Sequence, residues 1–210
     1  MSHVQRPGLS RHLLPLLLIP LGLQAGLARA ETQHLTLDGR NAISALHAKS
    51  LLGSVDGTFG QVKGQLDYDL SDQTCKVDMT MIVSSLRVGS TVMRKLMLSG
   101  ALLDADKYPT MHFTGHCVPV VRNGKVITQL VGDLTMRDQT HPVTFVTQMI
   151  FRHNTLVKLR SSTVFDQRQW GVSTMLHTVH PMVSSTAEIT LDDNAPVHAK
   201  AAATVAAARD

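Results

Sequence analysis

Two cysteines and a scatter of histidines are the residues of this sequence whose chemistry is most readily named. Cys75 and Cys117 can bridge in an oxidising compartment, or serve as two small buried hydrophobes. His112 and His116 would converge on a metal ion if helical. On a strand they stand about 13 Å apart at ~3.3 Å per residue and cannot chelate one ion alone. His177 and His180 in "MLHTVHPM" approach each other only within a loop, so the histidines read as surface groups and no metal is expected. One axial histidine in an apolar barrel would suffice for haem, but no attachment motif supports it. His-Glu-x-x-His, Gly-x-Ser-x-Gly and a Gly-rich phosphate loop are all absent from the sequence, so no nucleophile is assembled and an enzyme is not expected.

The two ends carry their own signals. Residues Met1 to Ala30 hold Arg6 and Arg11, then the apolar run "HLLPLLLIPLGLQAGL", then "ARA" before Glu31, the order of a secretory signal cleaved after Ala30. Pro15, Pro20 and the short apolar core argue against a retained membrane anchor, and no later segment is long and apolar enough to span a bilayer. The expected location is the periplasm. Removing Arg6, Arg11 and Arg29 leaves 17 basic against 16 acidic residues, scattered among one another, which excludes the basic face that nucleic acid requires. Residues 193–210 are Ala-rich with nothing large to bury, the composition of a loose tail. Residues 31–192 are left as one domain.

Within that domain the apolar residues alternate. Cys75, Val77, Met79, Met81 and Val83 face one way while Lys76, Asp78 and Thr80 face the other, a strand with one buried face. The same period recurs in Met111, Phe113 and Cys117, in Leu130, Leu134 and Met136, in Val143, Phe145 and Met149, and in Val183, Ala187, Ile189 and Leu191. Weaker candidates are "HLTLD", "ISALHAK", "GTFGQVKGQLDYDL" and "TLVKLRSSTVF". About eight antiparallel strands, each half wet and half dry, predict an all-β closed barrel. In the third weak candidate Phe59 is odd while Val62, Leu66 and Tyr68 are even, so an extra residue near Gly60 would bring both sets to one side.

"VMRKLMLSGALLDADKYPTMHF" interrupts this pattern. Ser90 can cap a helix, Val92, Met93, Leu96 and Met97 repeat at three and four residues, and Ser99-Gly100 offers a stop. One short amphipathic helix is therefore expected over one end of the barrel, its Met and Leu face inward. A barrel of this size either fills its interior or keeps room for one small ligand. The inward residues are largely flexible Met and small or medium aliphatics, with five Phe and one Trp in the whole chain, which suits a cavity but equally an ordinary Met-plugged core.

"LDADKYPTMHF" followed by "LVGDLTMRDQTHPVTFV", with "GTFGQVKGQLDYDL" before and "DQRQWGVSTM" after, resembles the YceI-like family of secreted bacterial proteins over most of residues 33 to 191. The resemblance implies an elongated, lipocalin-like antiparallel barrel whose apolar tunnel holds a long-chain isoprenoid or another extended lipid. No cofactor beyond such a ligand is expected, and a homodimer is left open. On this reading the ligand would touch Val77, Met79, Met81, Val92, Met93, Leu96, Met97, Phe113, Leu130, Leu134, Phe145, Met149 and Trp170. Bulky Phe113, Phe145 and Trp170 would set shape and length, and Trp170 in "QWGV" equally suits pinning a loop. Family members often carry Arg-Asp, His-Leu and paired Phe where this chain has Met93-Arg94, Leu96-Met97 and Leu102-Leu103, and a His where it has Lys49. The cavity is carried over and a polar clamp is not. A ligand-free barrel acting through protein contacts at the cell envelope is the competing reading.

Overall fold

The computed structural model describes residues 32–51, 53–72, 74–153, 155–175 and 178–191. The signal segment, the Ala-rich tail and His177 lie outside them. Eleven strand segments are formed, where about eight were expected: β1 (Gln33–Leu37), β2 (Ala42–Ser50), β3 (Gly53–Phe59), β4 (Val62–Asp69), β5 (Thr74–Ile82), β6 (Leu86–Val88), β7 (Thr110–Arg122), β8 (Lys125–Met136), β9 (Gln139–Arg152), β10 (Thr155–Asp166) and β11 (Val179–Thr190). The difference has one physical cause. β1 and β2 pair with β4 and β3 in successive registers, Leu37 opposite Gly64 and Ser44 opposite Phe59, so each couple is one long run broken once. β5 and β6 divide likewise against β4 and β3, Met81 opposite Val62 and Leu86 opposite Phe59.

The three breaks lie side by side and make a crease. They are the turn after Asp38, the link Gly60-Gln61 and the 3₁₀ turn Val83–Ser85. Gly60 donates its N–H to the Ser85 carbonyl at 3.1 Å. At the fold of the sheet the Arg87 guanidinium lies over Gly60, 2.8 Å from where a Cβ would stand. Two residues separate buried Phe59 from buried Val62, which is the parity switch that the sequence predicts at Gly60.

The sheet runs β1-β4-β5-β7-β8-β9-β10-β11-β2-β3-β6, antiparallel at every pairing. Because β2 continues β1, the ladder that starts at β1 returns to the same run and the sheet curls upon itself. Neighbouring backbone comes close at Gly64, where φ is +155° and a Cβ would lie 2.0 Å from the Asp78 carbonyl oxygen. Cys75 and Cys117 stand opposite each other one step beyond the pair Lys76 and His116, with Cα atoms 4.8 Å apart, and their sulfurs are bonded.

Helix α1 (Thr91–Leu98) lies between β6 and β7. Ser90 caps it, the hydroxyl accepting from the Met93 N–H at 3.3 Å. Arg94 fastens it to the crease, donating from Nε to the Leu86 carbonyl at 2.7 Å and from Nη2 to the Ser84 carbonyl. The chain then folds back beneath the helix, with Leu103 N–H bonded to the Met97 carbonyl at 3.0 Å and Ala105 N–H to that of Leu98 at 2.9 Å. Helix and turn together form a lid. Among the described residues no helix is long and apolar enough to cross a membrane.

Candidate ligand-binding cavity

Large and small side chains meet unequally across the barrel. From β5, β7, β8 and β9 come Met79, Met81, Met111, Phe113, Leu134, Met136 and Phe145; the facing wall of β2 and β11 offers only Ser44, Ala48, Ser185 and Ala187 around Leu46 and Val183. The small wall leaves a void that the large wall does not fill. Its volume is about 190 Å³. Met93, Leu96 and Met97 of α1, with Leu102 and Leu103 of the following turn, close it from above. Ser50, Val55, Met175, Thr178 and Val179 form its rim.

Eight residues expected on sequence grounds line this void: Met79, Met81, Met93, Leu96, Met97, Phe113, Leu134 and Phe145. The structure places five others away from this void. Val92 lies on the outer face of α1 and is 78% exposed, because the helix turns only its Met93, Leu96 and Met97 side inward. Trp170 is fully buried but outside the cavity lining, packed edge-to-face on Phe165 at 5.0 Å and on His141 at 5.1 Å, with its indole N–H donated to the Leu134 carbonyl at 2.9 Å. It pins a loop and supports Leu134 and Phe165 from behind. Met149 is partly buried against the core and lines neither void. Val77 and Leu130 line a second void of about 20 Å³ beside the disulfide.

Sequence reasoning passed over several lining residues. Met111 and Met136 carried a readable signal, since they share the alternation of Phe113 and Leu134. Leu102 and Leu103 sit in a turn with no period to reveal them, and Ser44, Ala48, Ser185 and Ala187 matter through the bulk they lack.

Polar groups of the lining are mostly spent within the protein. Ser185 donates to the Ala45 carbonyl at 3.3 Å, Gln167 to that of His180 at 2.9 Å and Thr178 to that of Met175 at 2.8 Å. Lys49, in an exposed strand position, is the one titratable residue of the described lining, which holds no histidine and no carboxylate. Among the described residues no acid–base pair faces the void and no histidine there is placed to be an axial ligand of haem. His112 instead pairs with Asp78 at 3.0 Å on the outside, and His180 accepts from the Met182 N–H at 3.1 Å. Among the described residues no group of three or more His, Cys, Asp or Glu is placed to hold a metal.

Besides Arg94, a second arginine latches the lid. Arg137, at φ 51°, donates from Nη1 to the carbonyls of Leu102 at 2.9 Å and Gly171 at 2.7 Å, while its guanidinium lies 5.7 Å from the centroid of Tyr108. Below it, the Arg168 side chain hydrogen-bonds to Asp166 and holds that carboxyl below the usual range, keeping it anionic as the cap of the 3₁₀ turn Gln167–Trp170. Hydrogen bonds from a charged donor contribute about 1.5–3 kcal/mol, so Arg137→Met is expected to speed hydrogen exchange at the Leu103 and Ala105 amides by roughly 10- to 100-fold. Unchanged exchange there would show that the lid is held by its apolar face alone.

Fold and cavity define a lipocalin-like antiparallel barrel with an apolar compartment covered by a lid and open at its rim. The model of the YceI-like domain family matches residues 32–208, and the chain belongs to that family. A UPF0312 protein of Pseudomonas putida (strain GB-1) is 30% identical over 125 residues, covering 59% of this chain and 64% of the relative's length. Among solved structures, BcnA of Burkholderia cenocepacia superposes with a TM-score of 0.63 at 16% identity, covering 72% of this chain and 96% of that one. A polyisoprenoid binding domain from Saccharophagus degradans, implicated in plant cell wall breakdown, superposes with a TM-score of 0.51 at 8% identity over 76% of this chain and 99% of that one.

Proposed function

We propose that the protein is a periplasmic, non-catalytic carrier that holds an extended apolar molecule, such as an isoprenoid or a fatty lipid, in the barrel interior. One observation carries the reading: a cavity of about 190 Å³ under a latched lid, walled by Met, Leu and Phe and, among the described residues, free of histidine and carboxylate. Apolar burial contributes roughly 25 cal/mol per Å², so a hydrocarbon can be held there without a hydrogen bond. The polyisoprenoid-binding neighbour supports the same ligand class. The secretory signal read in residues 1–30 and the Cys75–Cys117 bridge support an oxidising compartment.

Native mass spectrometry of gently purified full chain tests the proposal. A lipid-sized adduct, lost on solvent extraction and replaced by a long-chain fluorescent probe, is the expected result. Neither adduct nor probe uptake would overturn the carrier reading in favour of protein contacts. A specific surface favours that second reading: Val121 and Val126, 75% and 63% exposed, face each other at one hairpin end, and Phe151, 53% exposed, stands at the next.

A further inference from the structure

The two voids follow one another inside the barrel and share four lining residues, Met79, Phe113, Phe145 and Ala187. Those residues are the partition between them. Phe113 and Phe145 meet edge-to-face with ring centroids 5.2 Å apart and planes at 74°, the arrangement that aromatic quadrupoles favour. Phe113 also has a seat made for it. A Cβ on Gly115 would lie 2.7 Å from Cζ of that ring, so only bare backbone leaves the ring its place. Below the rings the interior narrows to the second void of about 20 Å³, walled mostly by apolar side chains and with the hydroxyls of buried Thr147 and Ser161 bonded to each other at 2.9 Å, which leaves no room for further carbons. A hydrocarbon tail gains little by passing that point.

We infer that Phe113 and Phe145 set the length of the ligand, which lodges as a single apolar chain on the lid side, its buried end against the two rings, and does not thread the barrel. The inference rests on the carrier reading above and narrows its ligand to a single-chain molecule of short or medium buried length. Size agrees. A void of about 190 Å³ lies below the ~300–1,000 Å³ of sites that enclose drug-sized ligands and close to the ~150 Å³ that takes a benzene ring. Whatever exceeds it leaves by the rim at Ser50, Val55 and Thr178.

The test uses the lipid-stripped full chain and straight-chain fatty acids and alcohols of increasing length, competed against a fluorescent long-chain probe. Affinity is expected to rise about fourfold per methylene while carbons are still being buried, then to level off once the tail meets the rings. In Phe113→Leu and Phe145→Leu, which keep the partition apolar but shorten it, levelling is expected roughly two carbons later. Phe151→Leu, at the exposed hairpin end, keeps the wild-type break. Affinity that climbs through the longest chains without a break, or a break that stays put in both variants, overturns the inference while leaving a carrier. Failure of every chain to bind overturns the carrier reading with it. Should Phe145→Leu not fold, Phe145→Met, of similar volume but with a flexible side chain that fits an irregular gap, gives the same readout.

Discussion

Trp170→Ala is expected to lower stability by about 3–5 kcal/mol, which for a domain of this size is a fall in Tm of roughly 10 °C or more. The residue is 0% exposed, its ring meets both Phe165 and His141, and its N–H satisfies the Leu134 carbonyl. Truncation therefore opens a large void and strips a buried carbonyl of its donor in one step. The 3₁₀ turn that carries it is fixed at both ends, by Asp166 accepting from the Arg168 N–H at 3.0 Å and by Gly171 at φ +69°, so the turn cannot easily collapse inward to heal the gap. Calorimetry of the variant checks this. A loss under 1 kcal/mol would mean that the site collapses freely and that Trp170 is not the keystone of the lid end. Because the residue does not line the cavity, chain-length preference should survive in whatever fraction stays folded.

Opening the Cys75–Cys117 bridge is the second large effect. The bond closes a loop with a sequence separation of 42, for which the chain-entropy relation gives about 4 kcal/mol. A matched double variant, Cys75→Ala with Cys117→Ala, is expected to melt roughly 10 °C below the parent, and a reducing agent should lower the parent by a similar amount. The bridge ties β5 to β7 at the end of the barrel remote from the lid, across the whole excursion of 3₁₀ turn, β6 and α1. Its removal should therefore leave the lid-side cavity intact at temperatures where the protein is still folded. If the double variant melted with the parent, the unfolded chain would already be held compact by other means, and the entropic account would be wrong.

Much of the architecture was legible because a strand against a core writes its own period. Val77, Met79 and Met81 could be assigned to the buried face before any partner was known, and Phe59 against Val62 announced a kink near Gly60. Ser90 marked the start of α1 because a helix must satisfy its first N–H groups. The likeness of "LDADKYPTMHF" and "LVGDLTMRDQTHPVTFV" to the YceI-like family pointed to the same barrel. β6 escaped notice, since three residues are too few to show an alternation, and so did the division of the long runs, which depends on three breaks lying side by side.

By itself, then, the sequence determined which face of each strand is dry, where the lid helix begins, and that Cys75 and Cys117 share the inward parity that pairing demands. Only the tertiary structure decided that Val92 faces water, that Trp170 supports the wall from outside the cavity, and that the interior is two voids parted by Phe113 and Phe145. The reason is that a period records the direction of a side chain relative to its own backbone, whereas a cavity is a difference in bulk between walls far apart in the chain. Ser44 and Ala187 acquire meaning only once the curled sheet sets them opposite methionine and phenylalanine.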